Sequence, residues 1–407
     1  MKKLISICVL LAMSIMCFSG CFLFNYSEEV KPTENVEDVE NVEKPEHYHS
    51  FGEWVTVLEP TEEAEGLKER YCECGEKESS TIPKVEVPEN YSQGLAFALN
   101  ADRKSYSVIG IGTCTDTEII IPSVHNGNPV TNIGSYAFYN RASVVKVVLP
   151  DSVVNVEEAA FYNCSALETI EMSNSLISIG NQVFWNCTSL TSVTLPDSLT
   201  NIGSALFYQC TSLESVRLPS GMTKIDSHEI EIFDMYGNPK MQYMGMFAYC
   251  TSLKSIIIPD SVTIIEPYSF YECNSLESVT IGSSVETIGD WAFYNCTSLE
   301  TVIMPDSVTN IGECLFNRCS GLKSVVWSNT LECIPYATFF KCTSLETVSM
   351  GNGIKSIEQS VFEYCSSLTT INYAGTISEW QAIEISSTWA EYTGDYTISC
   401  DDGTISK

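Results

Sequence analysis

The sequence has few basic residues and almost no histidine. Its 407 residues include 21 Lys and Arg, 52 Asp and Glu and 4 His, so the formal net charge is −31. A surface with this charge repels phosphate backbones, and we therefore expect no nucleic-acid partner. After the apolar run that ends at Phe18, no apolar run approaches the length needed to cross a bilayer.

Short motifs of the common enzyme classes are missing as well. The sequence contains no G-x-S-x-G, no H-E-x-x-H, no phosphate-binding loop and no dinucleotide-binding fingerprint. Its acidic residues are spread through segments typical of exposed turns. We therefore predict that the protein is not an enzyme and that it has no catalytic residues.

The first 21 residues have the pattern of an export signal. Two lysines precede an apolar run over residues 4–18, which is too short for a membrane span and suits a signal peptide. The run ends in Phe18-Ser19-Gly20-Cys21, which resembles the lipobox of bacterial lipoproteins. That resemblance implies acylation of Cys21 and a protein anchored outside the cytoplasm on the bacterial cell membrane. The alternative is a conventional signal peptide that is cleaved nearby.

Residues 22–46 are acidic and poor in apolar side chains. Between Asn25 and Glu46, 8 acidic residues stand against 2 lysines, and the apolar residues are valines and one tyrosine. Such a segment cannot bury enough apolar surface to fold. We therefore predict a disordered tether that is extended by its own charge.

Residues 47–84 contain a short set of His and Cys residues. The segment begins His47-Tyr48-His49-Ser50-Phe51, and Cys72-Glu73-Cys74-Gly75 lies near its end. It resembles a short module of bacterial surface proteins whose His and Cys residues look like a tetrahedral zinc set. The resemblance implies a zinc site of His49, Cys72 and Cys74, with His47 as a further ligand. The alternative is a small β module without metal, and no other cofactor is expected.

A 23-residue period organises the rest of the chain. Nine cysteines follow this period, with one gap of 40 residues between Cys210 and Cys250 that reveals an insertion of 17 residues. A phenylalanine column repeats ten times in the same register: Phe138, Phe161, Phe184, Phe207, Phe247, Phe270, Phe293, Phe316, Phe339 and Phe362. Such a period predicts a solenoid, because one coil cannot bury its own apolar residues and stacked coils can.

A single repeat shows how each coil is built. In residues 190–210, Val193 and Leu195 alternate as a short strand, and a Pro-Asp-Ser turn follows. Leu199, Ile202 and Phe207 then return to the same core. The phrases Ile-Pro-Asp-Ser-Val-Thr and Ala-Phe-x-x-Cys-Thr-Ser-Leu resemble the BspA-like leucine-rich repeats of bacterial surface proteins, and the resemblance covers about residues 115–373.

The predicted fold is an α/β solenoid of ten 23-residue leucine-rich coils over residues 123–373. A parallel β-sheet is predicted on its concave face, with short helical or irregular segments on its convex face. The insertion at residues 227–243 is predicted to be a protruding hairpin. Residues 85–122 and 374–407 are predicted to be the caps that solenoid ends require. We expect the cysteine column to be buried and reduced, with each thiol acting as a small apolar group.

Two outward-facing columns flank the buried position of each predicted strand. The earlier column is mostly Ser and Thr, which is typical of a solvated ladder. The later column varies and contains the candidate ligand-binding residues Arg217, Ile257, Ile303 and Val326. Aliphatic side chains exposed together on a sheet indicate a contact surface, and ordinary β propensity is the alternative explanation.

Two other features are candidates for binding. An aromatic stripe follows the phenylalanine column and either packs coil on coil or contacts a sugar or a protein. Its members are Tyr139, Tyr162, Trp185, Tyr208, Tyr271, Tyr294 and Phe340. The inserted hairpin contains Phe233 and Tyr236, and insertions in solenoids often lie on the binding face. The alternative for the hairpin is a tolerated loop.

These features support two functional hypotheses. The first is a cell-surface lipoprotein that binds an extracellular protein or a glycan, because several BspA-like proteins act as adhesins. The second is an envelope scaffold that binds a partner of the same cell, and the short tether favours this hypothesis.

Overall fold

The computed structural model describes residues 50–58, 60, 65–83, 91–233 and 239–407. The predicted signal peptide and tether lie outside these ranges, as do the candidate residues Cys21, His47, His49 and Tyr236. The chain divides into two compact units, Met1–Pro83 and Lys84–Lys407.

The first unit contains a three-stranded antiparallel sheet. Its strands are β1 (Val55–Leu58), β2 (Gly66–Tyr71) and β3 (Lys77–Ile82), in that spatial order. Glu69 is only 5% exposed, and Lys77 and Tyr71 each donate a hydrogen bond of 2.6 Å to its carboxylate. These hydrogen bonds lower the pKa of Glu69. The small sheet is therefore held together by a charged cluster as well as by its backbone.

The second unit is a solenoid in which a row of short parallel strands, here called the first ladder, runs from coil to coil. Backbone pairing divides this ladder into four groups of strands. Twelve strands of the described residues belong to it. They are β6 (Glu118–Ile120), β9 (Lys146–Val148), β11 (Thr169–Glu171), β13 (Ser192–Thr194), β15 (Ser215–Arg217), β19 (Ser255–Ile257), β21 (Ser278–Thr280), β23 (Thr301–Ile303), β25 (Ser324–Val326), β27 (Thr347–Gly351), β29 (Thr370–Ala374) and β31 (Thr397–Cys400). The first and last of these lie in the predicted caps, so the stack extends beyond the ten coils that the repeat predicts.

A second ladder of short strands, most of them two residues long, follows the turn in each coil, and the sequence did not indicate it. Parallel pairs such as Ile265 with Ile288 join its strands from coil to coil. Its members are β8 (Asn128–Ile133), β10 (Asn155–Val156), β12 (Ser178–Ile179), β14 (Asn201–Ile202), β16 (Lys224–Ile225), β20 (Ile264–Ile265), β22 (Thr287–Ile288), β24 (Asn310–Ile311), β26 (Cys333–Ile334), β28 (Ser356–Ile357) and β30 (Glu384–Ile385).

Antiparallel elements close both ends of the solenoid. At the first end, β4 (Ala96–Leu99) pairs with β5 (Tyr106–Gly110), and β7 (Val124–His125) pairs with β8. At the other end, β32 (Gly403–Ser406) pairs with β31, preceded by the short helix α1 (Ile377–Gln381). These elements cover the outermost coils, which is what a stack of parallel strands needs to avoid open edges.

The return segment of each coil consists of turns, and α1 is the only helix among the described residues. Each turn uses residues with left-handed backbone conformations, and one such position comes two residues after the phenylalanine. It is occupied by Asn140, Asn163, Asn186, Gln209, Tyr249, Glu272, Asn295, Arg318, Lys341 and Tyr364, all with φ between 54° and 64°. The conformation is unfavourable by about 1 kcal/mol or more for a non-glycine residue. Hydrogen bonds between turns offset it, such as Phe138 N to Ala160 O at 2.7 Å.

The phenylalanine column forms the centre of the core. All ten rings are fully buried and stack on the rings of the neighbouring coils. Their centroids are 5.1–5.8 Å apart with interplanar angles of 3–19°. The repeated residue therefore occupies the same environment in every coil.

The cysteine column is a ladder of buried thiols. Each of the nine Sγ atoms donates a hydrogen bond of 3.0–3.3 Å to the carbonyl of the phenylalanine in the preceding coil. All nine are free thiols, and burial raises the pKa of Cys164 to about 12. The thiol is therefore both a small apolar group and a hydrogen-bond donor.

Candidate functional site

The outward side chains of the first ladder form the strand face, which carries most of the predicted binding residues. The middle residue of each strand points into the core, as Val302 and Val325 show. The third residue of three strands is an exposed aliphatic side chain: Ile257 is 71% exposed, Ile303 69% and Val326 46%. We call these three residues the aliphatic strip.

Strand pairing sets the geometry of the aliphatic strip. Ile303 on β23 lies directly beside Val326 on β25, so these two side chains are neighbours at about 5 Å. Ile257 on β19 lies beside Thr280 on β21. The strip therefore runs across the strands rather than along one of them, over about 14 Å from β19 to β25.

The part of the strand face nearer the N-terminus is polar and internally paired. Lys146 forms an ion pair of 2.6 Å with Glu171, which raises the pKa of the lysine. Arg217 pairs with Asp197 and donates a hydrogen bond of 3.0 Å to the carbonyl of Leu195. The pKa of Asp197 is lowered by the backbone N–H of Ser220 and by Arg217. Arg217 therefore bridges successive coils.

A polar cleft of about 590 Å³ lies at these ion pairs. Glu171, Asn174, Asp197 and Arg217 contribute to its walls. The three charged side chains in these walls are all in ion pairs: Asp197 with Arg217, and Glu171 with Lys146, which lies outside the cleft. Arg217 is thus engaged within the scaffold, although its strand β15 contacts β19, which carries Ile257.

A second cleft, of about 310 Å³, adjoins the aliphatic strip at the C-terminal end of the first ladder. Val326, Asn372 and Asp401 contribute to its walls. Trp327 and Tyr373 also line it, but their side chains are only 2% and 3% exposed, so they offer a ligand almost no apolar surface. We call it the C-terminal cleft. Sequence reasoning missed it, because Asp401 lies beyond the last repeat and reaches the ladder only through the pairing of β31 with β29.

The aromatic stripe packs coil on coil. Tyr162 stacks on Trp185 at 5.5 Å, and Trp185 stacks on Tyr208 at 4.0 Å, with interplanar angles of 12° and 24°. Tyr208 is buried, which raises its pKa to about 12. Because the ring faces contact each other, mainly ring edges remain for solvent, and this arrangement favours the packing interpretation.

The insertion forms the predicted hairpin, with β17 (Ser227–Phe233) antiparallel to β18 (Pro239–Gly245). The hairpin leaves the stacked coils after β16 of the second ladder, and the chain returns to them at the turn that contains Phe247. At its base, the Nδ1 atom of His228 lies 3.2 Å from Ser204 Oγ, and Tyr243 stacks on Tyr268 at 5.7 Å. Phe233, the last residue of β17, therefore belongs to a hairpin that begins next to the second ladder and not on the strand face.

The hypothesis of a zinc site rests on residues that the structure describes only in part. Cys72 and Cys74 lie at the turn between β2 and β3, where Cys72 N donates a hydrogen bond of 2.9 Å to the carbonyl of Glu76. Within the described ranges, no group of three His, Cys, Asp or Glu residues could hold a metal ion. Because His49 lies outside those ranges, the zinc site stays a prediction. No helix of the described residues is long and apolar enough to cross a bilayer.

Comparison with known proteins agrees with the repeat geometry. The family described as "BspA type Leucine rich repeat region" matches residues 113–232 and 242–381, in 6 copies. The chain belongs to this BspA-type family. The family match and the stacked parallel strands confirm the predicted leucine-rich repeat solenoid.

Several solved structures are similar to this BspA-type chain. A leucine-rich repeat protein from Bacteroides ovatus is 25% identical, with 77% of this chain and 91% of that chain covered and a TM-score of 0.48. The T. pallidum leucine-rich repeat protein is 26% identical, with 58% of this chain and 91% of that chain covered and a TM-score of 0.44. A leucine-rich cell surface protein from Faecalibacterium prausnitzii is 25% identical, with 74% of this chain and 98% of that chain covered and a TM-score of 0.38. No curated protein matches the sequence.

Proposed function

We propose that this protein is a non-enzymatic cell-surface lipoprotein, anchored through Cys21, whose solenoid binds another protein in an adhesive contact. The observation that carries this proposal is the aliphatic strip, because exposed aliphatic side chains grouped on a regular sheet are typical of protein contact surfaces. Ile257 and Ile303 are each about 70% exposed in a ladder whose neighbouring positions are mostly hydroxyl residues. The family match supports a surface location.

The test uses the purified chain with paired substitutions on the same ladder. We expect Ile257→Asp combined with Ile303→Asp to abolish binding to a protein partner, since two desolvated carboxylates in an apolar contact are strongly unfavourable. Thr169→Asp combined with Ser192→Asp is the matched control, because these residues occupy exposed ladder positions near the polar cleft. Equal loss in both variants would overturn the assignment of the strip.

The probes are extracellular-matrix proteins, a glycan array and envelope proteins of the source cell. Binding of matrix protein that depends on the strip supports adhesion. Binding only to an envelope protein favours the alternative, a scaffold within the same cell envelope. Binding only to glycans, unchanged in the Ile257→Asp and Ile303→Asp variant, would contradict the proposal. Deletion of residues 228–242 tests the hairpin separately.

Lipidation has its own test. The proposal predicts that the wild-type chain incorporates a labelled fatty acid when it is expressed with its N-terminal segment in a bacterium. Cys21→Ser should remove that label, and Cys114→Ser, a cysteine of the folded part, should not. Retention of the label after Cys21→Ser would contradict the anchor.

A further inference from the structure

Arg217 shows how the strand face holds a cation. It is the third residue of β15, and its guanidinium pairs with the Asp197 carboxylate in the turn of the preceding coil. The guanidinium also donates a hydrogen bond of 3.0 Å to the carbonyl of Leu195. The other carboxylate oxygen of Asp197 accepts the backbone N–H of Ser220 at 2.8 Å, which fixes the acid in place. This turn is therefore an acceptor site for a guanidinium group, and the chain fills it with its own side chain.

The same turn recurs beside the aliphatic strip without a cation. Asp260 takes the place of Asp197 in the Pro-Asp-Ser sequence, and its Oδ1 atom accepts the backbone N–H of Ser283 at 2.7 Å and the Ser283 hydroxyl at 2.9 Å. Its Oδ2 atom has no hydrogen bond or ion pair with any residue that the structure describes. The carboxylate is therefore held in place on one side and available on the other.

Backbone hydrogen bonds show that the two turns are equivalent. Leu195 N donates a hydrogen bond of 3.0 Å to the carbonyl of Arg217, and Ile258 N donates one of 2.9 Å to the carbonyl of Thr280. Thr280, the third residue of β21, is thus the counterpart of Arg217. It brings a short neutral side chain to Asp260 where the other turn has a guanidinium.

The lysines in this part of the strand face are already paired. Lys254 forms an ion pair of 2.6 Å with Glu214, and Lys323 forms one of 2.8 Å with Glu300. Hydrogen bonds from the next coil lower the pKa of Asp260, so its carboxylate is ionised at neutral pH. Because the chain has a net charge of −31, a second copy of it is disfavoured as the source of a cation, and a basic partner is favoured.

Two residues of the aliphatic strip flank Thr280. Ile257 lies directly beside it, and Ile303 occupies the same position of the next strand, β23. Each isoleucine is therefore about 5 Å from Thr280 along the ladder. Both are about 70% exposed, so they present apolar surface on two sides of a shorter side chain. We call this gap the Thr280 notch, and the example of Arg217 places Asp260 within reach of a cation in it.

We propose that the Thr280 notch binds an arginine side chain of the protein that docks on the aliphatic strip. This inference rests on the proposed protein-binding function. The alkyl stem of the arginine packs between Ile257 and Ile303, and its charged end pairs with Asp260 in the way that Arg217 illustrates. Arginine fits better than lysine, because a guanidinium can donate to a backbone carbonyl as well as to the carboxylate.

The experiment uses the full chain and synthetic peptides as probes. The peptide acetyl-Leu-Ser-Leu-Ser-Arg-Ser-Leu-Ser-Leu-amide places its arginine and leucines on one face when it is extended, because side chains alternate along an extended chain. A second peptide carries citrulline, which is neutral and nearly isosteric, in place of arginine. We expect the arginine peptide to bind the wild-type protein about tenfold more tightly than the citrulline peptide, as for a partly desolvated ion pair.

Substitution of the acid locates the arginine. Asp260→Asn should weaken the arginine peptide about tenfold and leave the citrulline peptide unchanged. Asp151→Asn is the matched control, because Asp151 has the same place in a turn away from the strip and accepts the backbone N–H of Asn174 at 2.9 Å. It should change neither affinity. An equal effect of the two substitutions, or none from Asp260→Asn, would overturn the inference.

A substitution in the notch tests the comparison with Arg217 directly. Thr280→Arg supplies the chain's own guanidinium, so the arginine peptide should lose its tenfold advantage over the citrulline peptide. Thr194→Arg is the control, since it adds the same charge at the same position of β13, where the turn of the preceding coil has Asn174 in place of an acid. It should preserve the advantage. An advantage that persists in Thr280→Arg would contradict the notch.

The same peptides separate failure of the notch from failure of the strip. Ile303→Ser should weaken both peptides, because it removes apolar contact without changing charge. If it does so while the arginine and citrulline peptides bind the wild type equally, the notch inference is wrong and the strip stands. Absence of binding of either peptide up to about 1 mM would overturn the notch inference, while the matrix and envelope probes still decide the proposed function.

Discussion

The buried phenylalanine column and the outer column of the strand face follow the same 23-residue period, but they differ in how much they vary. The first contains the same residue in all ten coils, whereas the second includes Glu171, Arg217, Ile257 and Asn372. Each phenylalanine except the first and the last lies between two other phenylalanines, so a change in one coil disturbs three layers of packing. The outer residues face solvent and meet no such constraint. Positions that hold the same residue in every coil therefore form the scaffold, and positions that vary form the surface on which a specific partner can be recognised.

The largest expected effect comes from the middle of the phenylalanine column. Phe270 stacks on Phe247 at 5.2 Å and on Phe293 at 5.1 Å, so Phe270→Ala leaves a cavity between two rings. We expect a loss of about 3–5 kcal/mol in the free energy of unfolding, measured by denaturant titration. Ile257→Ala on the strand face should lose less than about 0.5 kcal/mol. Similar losses in both variants would contradict the distinction between scaffold and surface.

The cysteine column is expected to give an intermediate effect. Cys273→Ala removes a buried sulfur and its hydrogen bond of 3.1 Å to the carbonyl of Phe247. We expect a loss of about 2 kcal/mol in the free energy of unfolding. Cys273→Ser should lose less, because the hydroxyl keeps a donor at the same place. If the serine variant is the less stable of the two, the thiol acts only through its volume.

Acidification tests the hydrogen bonds that join the turns of successive coils. The pKa of Asp260 is lowered by hydrogen bonds from Ser283, and that of Asp306 by hydrogen bonds from Asn329 of the next coil. A lowered folded-state pKa adds stability at neutral pH, which is lost as the pH falls through the ordinary Asp range towards that pKa. We expect the melting temperature to drop below about pH 4.

The matched variant for the acid test is Asp260→Asn combined with Asp306→Asn. Asparagine keeps an oxygen acceptor but does not titrate in this range. The difference in melting temperature between pH 7 and pH 3 should therefore be smaller in the variant than in the wild type. An equal difference would show that other groups control the acid response.

The smallest effect on stability is expected on the strand face itself. Ile303 is 69% exposed, and threonine has a similar β propensity, so Ile303→Thr should change the free energy of unfolding by less than about 0.5 kcal/mol. Binding of a protein partner should nevertheless weaken. A large loss of stability would mean that the aliphatic strip supports the fold rather than recognition.

The periodic features of the fold were predictable because each reports a repeated environment. The phenylalanine and cysteine columns and the strands around Val193 and Val302 follow directly from the 23-residue spacing. The second ladder was not predictable in this way, because most of its strands are two residues long, which is too short to show an alternation. Left-handed turns at residues as different as Asn163, Lys341 and Tyr364 carry no shared sequence signal.

The candidate site was predictable only where it lies within the repeat. The exposure of Ile257, Ile303 and Val326 follows from their column in the alignment, and the structure agrees. The same column suggested Arg217 as a ligand-binding residue, but its pairing with Asp197 depends on a turn of the preceding coil. The C-terminal cleft depends on β31 and Asp401, which lie outside the repeat.

The sequence by itself determined the solenoid, its core columns and the outward position of the aliphatic strip, because one coil cannot bury its apolar residues and the period defines what stacks on what. Only the tertiary structure decided which outward residues remain available. Arg217 is paired with Asp197, whereas Ile257 and Ile303 stay about 70% exposed. Those differences arise from contacts between coils and caps, and such contacts are fixed by the folded path of the chain rather than by the spacing of any one repeat.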